Sequence, residues 1–421
     1  MNVLINPKPL SGTIQIPPSK SLSHRAVIAA ALAKGKSTIR NIVLSDDVLA
    51  TVDAMEKLGV KIIRQPRQLV IHGLGKVQIG DDNFFDCNES GSTLRFLIPV
   101  LALSRQKFVL TGKPSLFKRP LQVFETLFKE RGFFFQQNET SILISGTLEP
   151  GTFEIPGNVS SQFISGFLFA LPLLREDSRI VLTTPLESAE YTDLTIDTLR
   201  QFGIRVDKTP EGFLIYGNQT YKSSVVDIES DYSQLAFFAV AGALSGPIVA
   251  KHFRPDSLQP DRRVVEIIRE MGGIVATKDG EYVFSKAPLH GATIDVSQCP
   301  DIAPVLCILG GLSQGETHIV KAERLKLKET NRIKTTADTL QTFGVPVETT
   351  DSTIDIQGVG VYNGGVFDSF GDHRIAMAIA VGAIKAKAPV VIKNAEAVNK
   401  SYPNFFRDYQ SLGGEITYIE E

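Results

Sequence analysis

The sequence predicts an α/β protein of two similar domains, each made of three βαβαββ units whose most apolar helices lie in the core. Two observations lead there. The stretch FGDHRIAMAIAVGAI, residues 370–384, is apolar on nearly every helical face, unlike the one-sided pattern of a surface helix. Its pattern also occurs six times in all along the chain, and each copy is followed by an amphipathic helix and a hairpin-like pair of strands.

In chain order the apolar copies are PPSKSLSHRAVIAAALAKGKSTIRNI, CNESGSTLRFLIPVLALSRQKFVLTG, GNVSSQFISGFLFALPLLREDSRIVLTT, ESDYSQLAFFAVAGALSGPIVAKHF, QCPDIAPVLCILGGLSQGETHIVKA and GDHRIAMAIAVGAIKAKAPVVIKN. Each runs from a polar cluster through an apolar helix and a short polar turn into a β-branched strand. The segments between them, such as DDVLATVDAMEKLGVKIIRQPRQLVIHG and RRVVEIIREMGGIVATKDGEYVFSK, open on a helix with charge on one face and Leu, Val or Ile on the other. They close near glycine and return as two strands. Helices apolar all round belong inside, with the amphipathic helices and sheets around them. Six units exceed one such core, so three per domain is expected. NVLI near the start is expected to pair with the far half, which puts the chain crossings near Ser19 to Ser21 and Glu229 to Asp231. The expected domains are residues 20–229, and residues 1–19 with 230–421.

Composition narrows the partner. The 421 residues are 21% charged with a formal net charge of −2, so no overall basic field points to nucleic acid or an acidic membrane. Cys87, Cys299 and Cys307 are odd in number and lack CxxC spacing, which suggests neither a disulfide framework nor a zinc site. The start lacks a leader pattern, and no run of ~18 residues is apolar enough to span a bilayer. A soluble cytoplasmic protein acting on small molecules is expected.

The helix mouths hold the chemistry. A buried helix exposes unpaired N–H groups and about half a positive charge at its N terminus, which suits phosphate or carboxylate. Ser, Asp or Asn at a helix start is often only a cap. Capping does not explain the long cations Lys20, Arg25, Arg95 and Arg374 at the same positions, and the cations near these mouths are Lys20, Arg25, Arg119, Lys328, Arg332, Arg374 and Lys400. Their number suits more than one anionic group. Asp301, Glu329 and Asp372 are interleaved with them, either as ion-pair members or as groups that move protons. HGLGKVQIG lacks the strand-turn-helix context of a dinucleotide site, and PPSKS lacks the spaced glycines of a phosphate loop. The six histidines form no metal set.

The ordered set PPSKSLSHRAVIAAAL, SDDV, NESGSTLRFL, KRPLQ, VSSQF, PDIAPVL, KLKETNRI, FGDHRIAMA and NKSYPNFF resembles the 5-enolpyruvylshikimate-3-phosphate synthases, from about residue 7 to about residue 412. The resemblance implies a two-domain inside-out α/β barrel, α/β (α+β) in class, with six βαβαββ repeats. It implies transfer of an enolpyruvyl group from phosphoenolpyruvate to the 5-hydroxyl of shikimate 3-phosphate, with release of phosphate. The route is addition and elimination through a tetrahedral intermediate, without organic cofactor or metal. The setting is the shikimate pathway to chorismate and the aromatic amino acids, a glyphosate target, and the enzyme is expected as a monomer. By the same resemblance the domain 20–229 binds shikimate 3-phosphate, and the other contributes phosphoenolpyruvate binding and the catalytic carboxylates.

Matched position by position, Lys20, Ser21, Arg25, Ser160, Ser161, Gln162, Ser188, Tyr191, Asp301 and Lys328 bind shikimate 3-phosphate. Lys20, Gly91, Arg119, Gln162, Arg332, Arg374 and Lys400 meet phosphoenolpyruvate. Asp301 accepts the hydroxyl proton, Glu329 handles the proton at the methylene carbon, and Lys20 and His373 stand beside the reacting groups. Four positions depart from the common pattern: Glu89 stands for asparagine, Phe96 for proline, Arg324 for asparagine and Asn331 for aspartate. These bear on affinity and inhibitor sensitivity.

Two other readings compete. The enolpyruvyl transferase of UDP-N-acetylglucosamine shares the fold but carries a cysteine before its Arg-Pro dipeptide, where this chain reads GKPSLFKRP. A non-catalytic anion-binding protein would have no need of Asp301 and Glu329 beside the cations.

Overall fold

All six apolar runs are helices, and all six are buried. A computed structural model describes residues 1–419, and in it the helices Lys20–Leu32, Gly91–Ala102, Ser161–Ala170, Tyr232–Leu244, Ala303–Gly311 and His373–Ala383 form the interior. In Tyr232–Leu244 every one of the 13 residues is buried. The helices of the second set, among them Asp46–Lys57, Ala189–Gln201 and Arg332–Thr342, bury one face and expose the other. Close packing sets some residue types. A Cβ on Gly166 would lie 2.4 Å from the carbonyl oxygen of Arg95, so helix Ser161–Ala170 approaches helix Gly91–Ala102 more closely than any side chain allows.

The chain forms two compact units. One is continuous, Pro18–Glu229; the other is discontinuous, Met1–Pro17 with Ser230–Glu421. Each has its own apolar core, the first built from Ala26 to Ile228 and the second from Val3 to Ile16 and Tyr232 to Leu412. The unit boundary falls two residues before Lys20 for a local reason. The Ser19 amide donates to the Glu229 carbonyl at 2.8 Å and its hydroxyl accepts from Leu22 N, which ties Ser19 to the continuous unit.

Six separate four-stranded sheets surround the helices, and among the described residues they do not close into one hydrogen-bonded barrel. Each contains one parallel pair and two antiparallel ones, the arrangement of a βαβ crossover followed by a hairpin. Two leading strands are exchanged along the chain. Gly12–Gln15, which precedes the first buried helix, pairs in parallel with Ile248–Lys251 of the discontinuous unit. Val225–Asp227, which precedes the fourth, pairs with Lys34–Arg40 of the continuous unit. Among the described residues the sixth repeat has one strand after its second helix, Glu415–Ile419, and the partner place is taken by the N-terminal strand Asn2–Asn6, which sits between it and Val390–Lys393. No described helix is long and apolar enough to cross a membrane.

Ile5 is fully buried in that central N-terminal strand, opposite Val390 and Ile416. Ile5→Ala is expected to lower unfolding stability by about 3 kcal/mol in urea titration, the usual loss for a buried isoleucine cut to alanine. An unchanged midpoint would mean that the strand adds nothing to the core.

Candidate active site

In the continuous unit three buried helices begin at expected site residues. Ser19, Ser90 and Ser160 cap them, accepting from Leu22 N, Thr93 N and Gln162 N at 3.4, 3.2 and 3.3 Å. Each cap satisfies one amide of the four that a helix start leaves over, so capping and anion binding coexist at these mouths. Ser161 is buried just behind its cap. Lys20 is anchored by the buried Asp47, Nζ to Oδ2 at 2.7 Å. Sequence reasoning saw Asp47 only as part of SDDV.

Arg25 is 2% exposed and all three of its nitrogens are engaged: Nε with Thr195 Oγ1 at 2.8 Å, Nη1 with Ser21 O at 2.8 Å and Nη2 with Tyr191 O at 2.9 Å. It thereby binds the backbone of two other expected site residues. Burial pulls the guanidinium down to about 10, with Tyr191 pulling the other way, so it stays charged at neutral pH. Its charge lies 5.1 Å from the Phe96 ring, which is itself fully buried against Phe169. Phe96 is thus a packing residue with a cation–π contact. Ser188 stands at the N-cap position of helix Ala189–Gln201 with a left-handed backbone at φ 53° and is buried.

Around Gly91 the cations close in. A Cβ there would lie 3.0 Å from Arg119 Nη1 and 3.3 Å from Arg95 Nη1, so glycine makes room for two guanidinium groups over a helix N terminus. Arg95 also donates to Gln162 Oε1 at 2.7 Å, and Gln162 Nε2 donates to Ser92 Oγ at 2.9 Å, which ties two helix mouths together. Glu89 accepts from Ser115 Oγ at 2.7 Å and lies 3.6 Å from Lys113 Nζ, on the segment that leads to Arg119.

In the discontinuous unit the organising residue is Arg332, 1% exposed at the start of helix Arg332–Thr342. It donates to Asp372 through Nε at 2.8 Å and Nη2 at 3.1 Å, to Glu329 Oε2 at 2.7 Å and to Asp301 Oδ1 at 3.1 Å. Burial alone would weaken its charge, but Asp372, Glu329 and Asp301 outweigh burial and raise it well above the usual range. Asp301 also takes Lys328 Nζ at 2.9 Å and faces Arg374 Nη2 at 3.8 Å. Its burial would raise the carboxyl; Lys328, Arg374 and Arg332 overcome that and hold it well below the usual carboxylate range, against a push from Glu329. The Lys328 ammonium is lowered, first by burial, with Asp301 opposing and the charges of Arg324 and Arg332 adding to the fall.

Asp372 is fully buried and has a second task, capping helix His373–Ala383 by accepting from Arg374 N at 2.9 Å. His373 lies behind it, Nδ1 3.8 Å from Asp372 Oδ1. Lys400 is buried at the end of the turn Ala395–Lys400. Asn331 caps helix Arg332–Thr342 through Lys334 N at 3.3 Å, a task asparagine performs as well as aspartate. Expected site residues therefore gather at helix mouths within each unit, although no single stretch of sequence holds either set. Among the described residues no group of three or more His, Cys, Asp or Glu is placed to hold a metal ion.

Six βαβαββ units, anion-ready helix mouths and an ionised carboxylate fixed among cations define an α/β enzyme class that handles small multiply charged substrates. The comparisons supply the family. Residues 4–409 match the model of EPSP synthase (3-phosphoshikimate 1-carboxyvinyltransferase), and the chain belongs to that family. It is 42% identical over 427 residues to the 3-phosphoshikimate 1-carboxyvinyltransferase of Clostridium novyi (strain NT), covering 99% of this chain and 98% of the relative. With that of Clostridium kluyveri it shares 44% identity over 417 residues, covering 98% of each. The solved EPSP synthase of Acinetobacter baumannii superposes with a TM-score of 0.84 at 25% identity, covering all of both chains.

Asp372→Ala would remove two hydrogen bonds to a buried guanidinium and a helix cap together. Its expected cost is about 3 to 5 kcal/mol in chemical denaturation, the range for breaking a buried ion pair from one side. A loss of less than about 1 kcal/mol, the worth of an exposed pair, would show that Glu329 and Asp301 suffice for Arg332.

Proposed function

We propose that the protein transfers the enolpyruvyl group of phosphoenolpyruvate to the 5-hydroxyl of shikimate 3-phosphate and releases phosphate, on the shikimate route to chorismate. The observation that carries this reading is Asp301, an ionised carboxylate held between Lys328, Arg332 and Arg374, with Glu329 on the same arginine. In the free protein the cations make Asp301 a weak base. Anionic substrates that engage those cations offset their field, raise the proton affinity of Asp301 and let it take the hydroxyl proton. Glu329 then moves the proton at the methylene carbon, and His373 lies beside the intermediate.

Shikimate 3-phosphate is held by Lys20, Ser21, Arg25, Ser160, Ser161, Gln162, Ser188, Tyr191, Asp301 and Lys328. Arg25 acts chiefly by fixing the Ser21 and Tyr191 backbone. Phosphoenolpyruvate meets Lys20, Gly91, Arg119, Gln162, Arg332, Arg374 and Lys400. The pinch of Arg119 and Arg95 over Gly91 supports this role, since paired guanidiniums over a helix N terminus suit a phosphate or carboxylate. The partners are these two small molecules, and the protein works as a cytoplasmic monomer. The reading with UDP-N-acetylglucosamine as acceptor is disfavoured because all three cysteines are buried, and burial pushes the Cys87 and Cys307 thiols up, away from reactivity.

The test is phosphate release from phosphoenolpyruvate by the purified chain, with shikimate 3-phosphate and separately with UDP-N-acetylglucosamine. Turnover is expected with the first alone; turnover with neither would sink the proposal. Asp301→Asn should lower kcat by about 100-fold or more, the scale of a lost general base, while calorimetry still detects shikimate 3-phosphate binding. Retained turnover would move the base elsewhere.

Glu89 bonds to the segment leading to Arg119. Glu89→Gln should therefore keep kcat within about threefold and shift KM for phosphoenolpyruvate by a similar factor, as for a lost peripheral ion pair. Inactivation with the fold intact would give Glu89 a catalytic role.

A further inference from the structure

The turn ahead of the fourth outer helix grips the start of the buried helix Tyr232–Leu244. Gln259 Oε1 accepts from Tyr232 N at 3.1 Å, Gln259 Nε2 donates to Ser230 O at 2.8 Å, and Asp261 accepts from the Ser233 hydroxyl. Asp261 is 1% exposed and Ser233 is 7% exposed. This carboxyl is not needed as a cap, because Asp231 already accepts from Gln234 N at 3.1 Å. Burying a carboxyl is costly, so its position calls for another account. The Ser233 carbonyl provides one, since it accepts from Arg374 Nη1 at 3.1 Å, and the other end of that guanidinium faces Asp301.

We propose that Asp261 is a positioning residue for the reaction: by holding Ser233 it sets the carbonyl on which Arg374 rests, and so the direction in which Arg374 meets an anion. The inference rests on reading Arg374 as a binder of phosphoenolpyruvate. The charged groups facing Asp261 are Asp301, Arg374 and Asp231. Burial first and then Asp301 push the Asp261 carboxyl up to about 7, with Asp231 adding to the rise and the Ser233 hydrogen bond and Arg374 opposing it. Below that pH Asp261 is neutral and Arg374 offers its field undiminished. Above it a buried negative charge sits behind the arginine and weakens its hold on an anion.

The experiment measures kcat and both KM values from about pH 6 to about pH 9 for the wild type, Asp261→Asn and Ser233→Ala, a span that brackets the titration. Phosphoenolpyruvate changes its own charge over this span equally for all three, so the quantity read is each variant's KM relative to wild type. Asp261→Asn keeps an acceptor for Ser233 without a charge. Its relative KM for phosphoenolpyruvate should be near one at the acid end and fall to about one third at the alkaline end, with kcat within about threefold, as expected for a modest change in field. Ser233→Ala should raise the KM for phosphoenolpyruvate by about tenfold at every pH and that for shikimate 3-phosphate by less than about twofold, the pattern of one misdirected ligand group. A pH-independent ratio for Asp261→Asn, or an equal rise of both KM values in Ser233→Ala, would overturn the proposal. If Ser233→Ala does not fold, the Asp261→Asn ratio decides. Absence of turnover in the wild type would instead remove the enzyme reading itself, and the inference with it.

Discussion

A helix that is apolar on every side has only its ends left for chemistry. That constraint governs this protein, because all six such helices are buried and their starts carry the polar residues. The amides at a helix start demand acceptors, and one cap meets only part of the demand. The same geometry that forces the helices inward therefore prepares places where a phosphate or carboxylate lowers the energy of the fold as well as of the complex.

Cations at such mouths need restraint, and the two units supply it differently. In the continuous unit Lys20 is held by one buried carboxylate, Arg25 by backbone carbonyls and Phe96, and Arg95 by Gln162. In the discontinuous unit Arg332 binds three carboxylates at once. The first arrangement leaves positive field available to an anion; the second holds the Asp301 carboxylate ionised inside protein. Asp372 joins the two demands, since it neutralises Arg332 while capping the helix that carries Arg374.

The side chains of Glu89, Phe96 and Asn331 are all engaged by local structure. Phe96 packs under Arg25, Asn331 caps a helix, and Glu89 turns toward Ser115 and Lys113. Arg324 has the most direct electrostatic effect, because its charge helps to lower the Lys328 ammonium.

The repeat pattern, the buried and amphipathic helix sets, and most of the cations at the helix mouths were legible in the sequence, because periodicity and residue type report burial and helix starts directly. NVLI could be read as a strand looking for a distant partner, but its exact neighbours, Val390–Lys393 and Glu415–Ile419, follow from pairing across nearly the whole chain. Asp47, Ser233 and Asp261 escaped notice because their meaning lies in contacts 27, 141 and 28 positions away, with Lys20, Arg374 and Ser233. The sequence by itself determined which side chains are charged and which helices must be buried. Only the tertiary structure decided which charge meets which, because Coulomb energy and desolvation depend on distance and burial in space rather than on spacing along the chain.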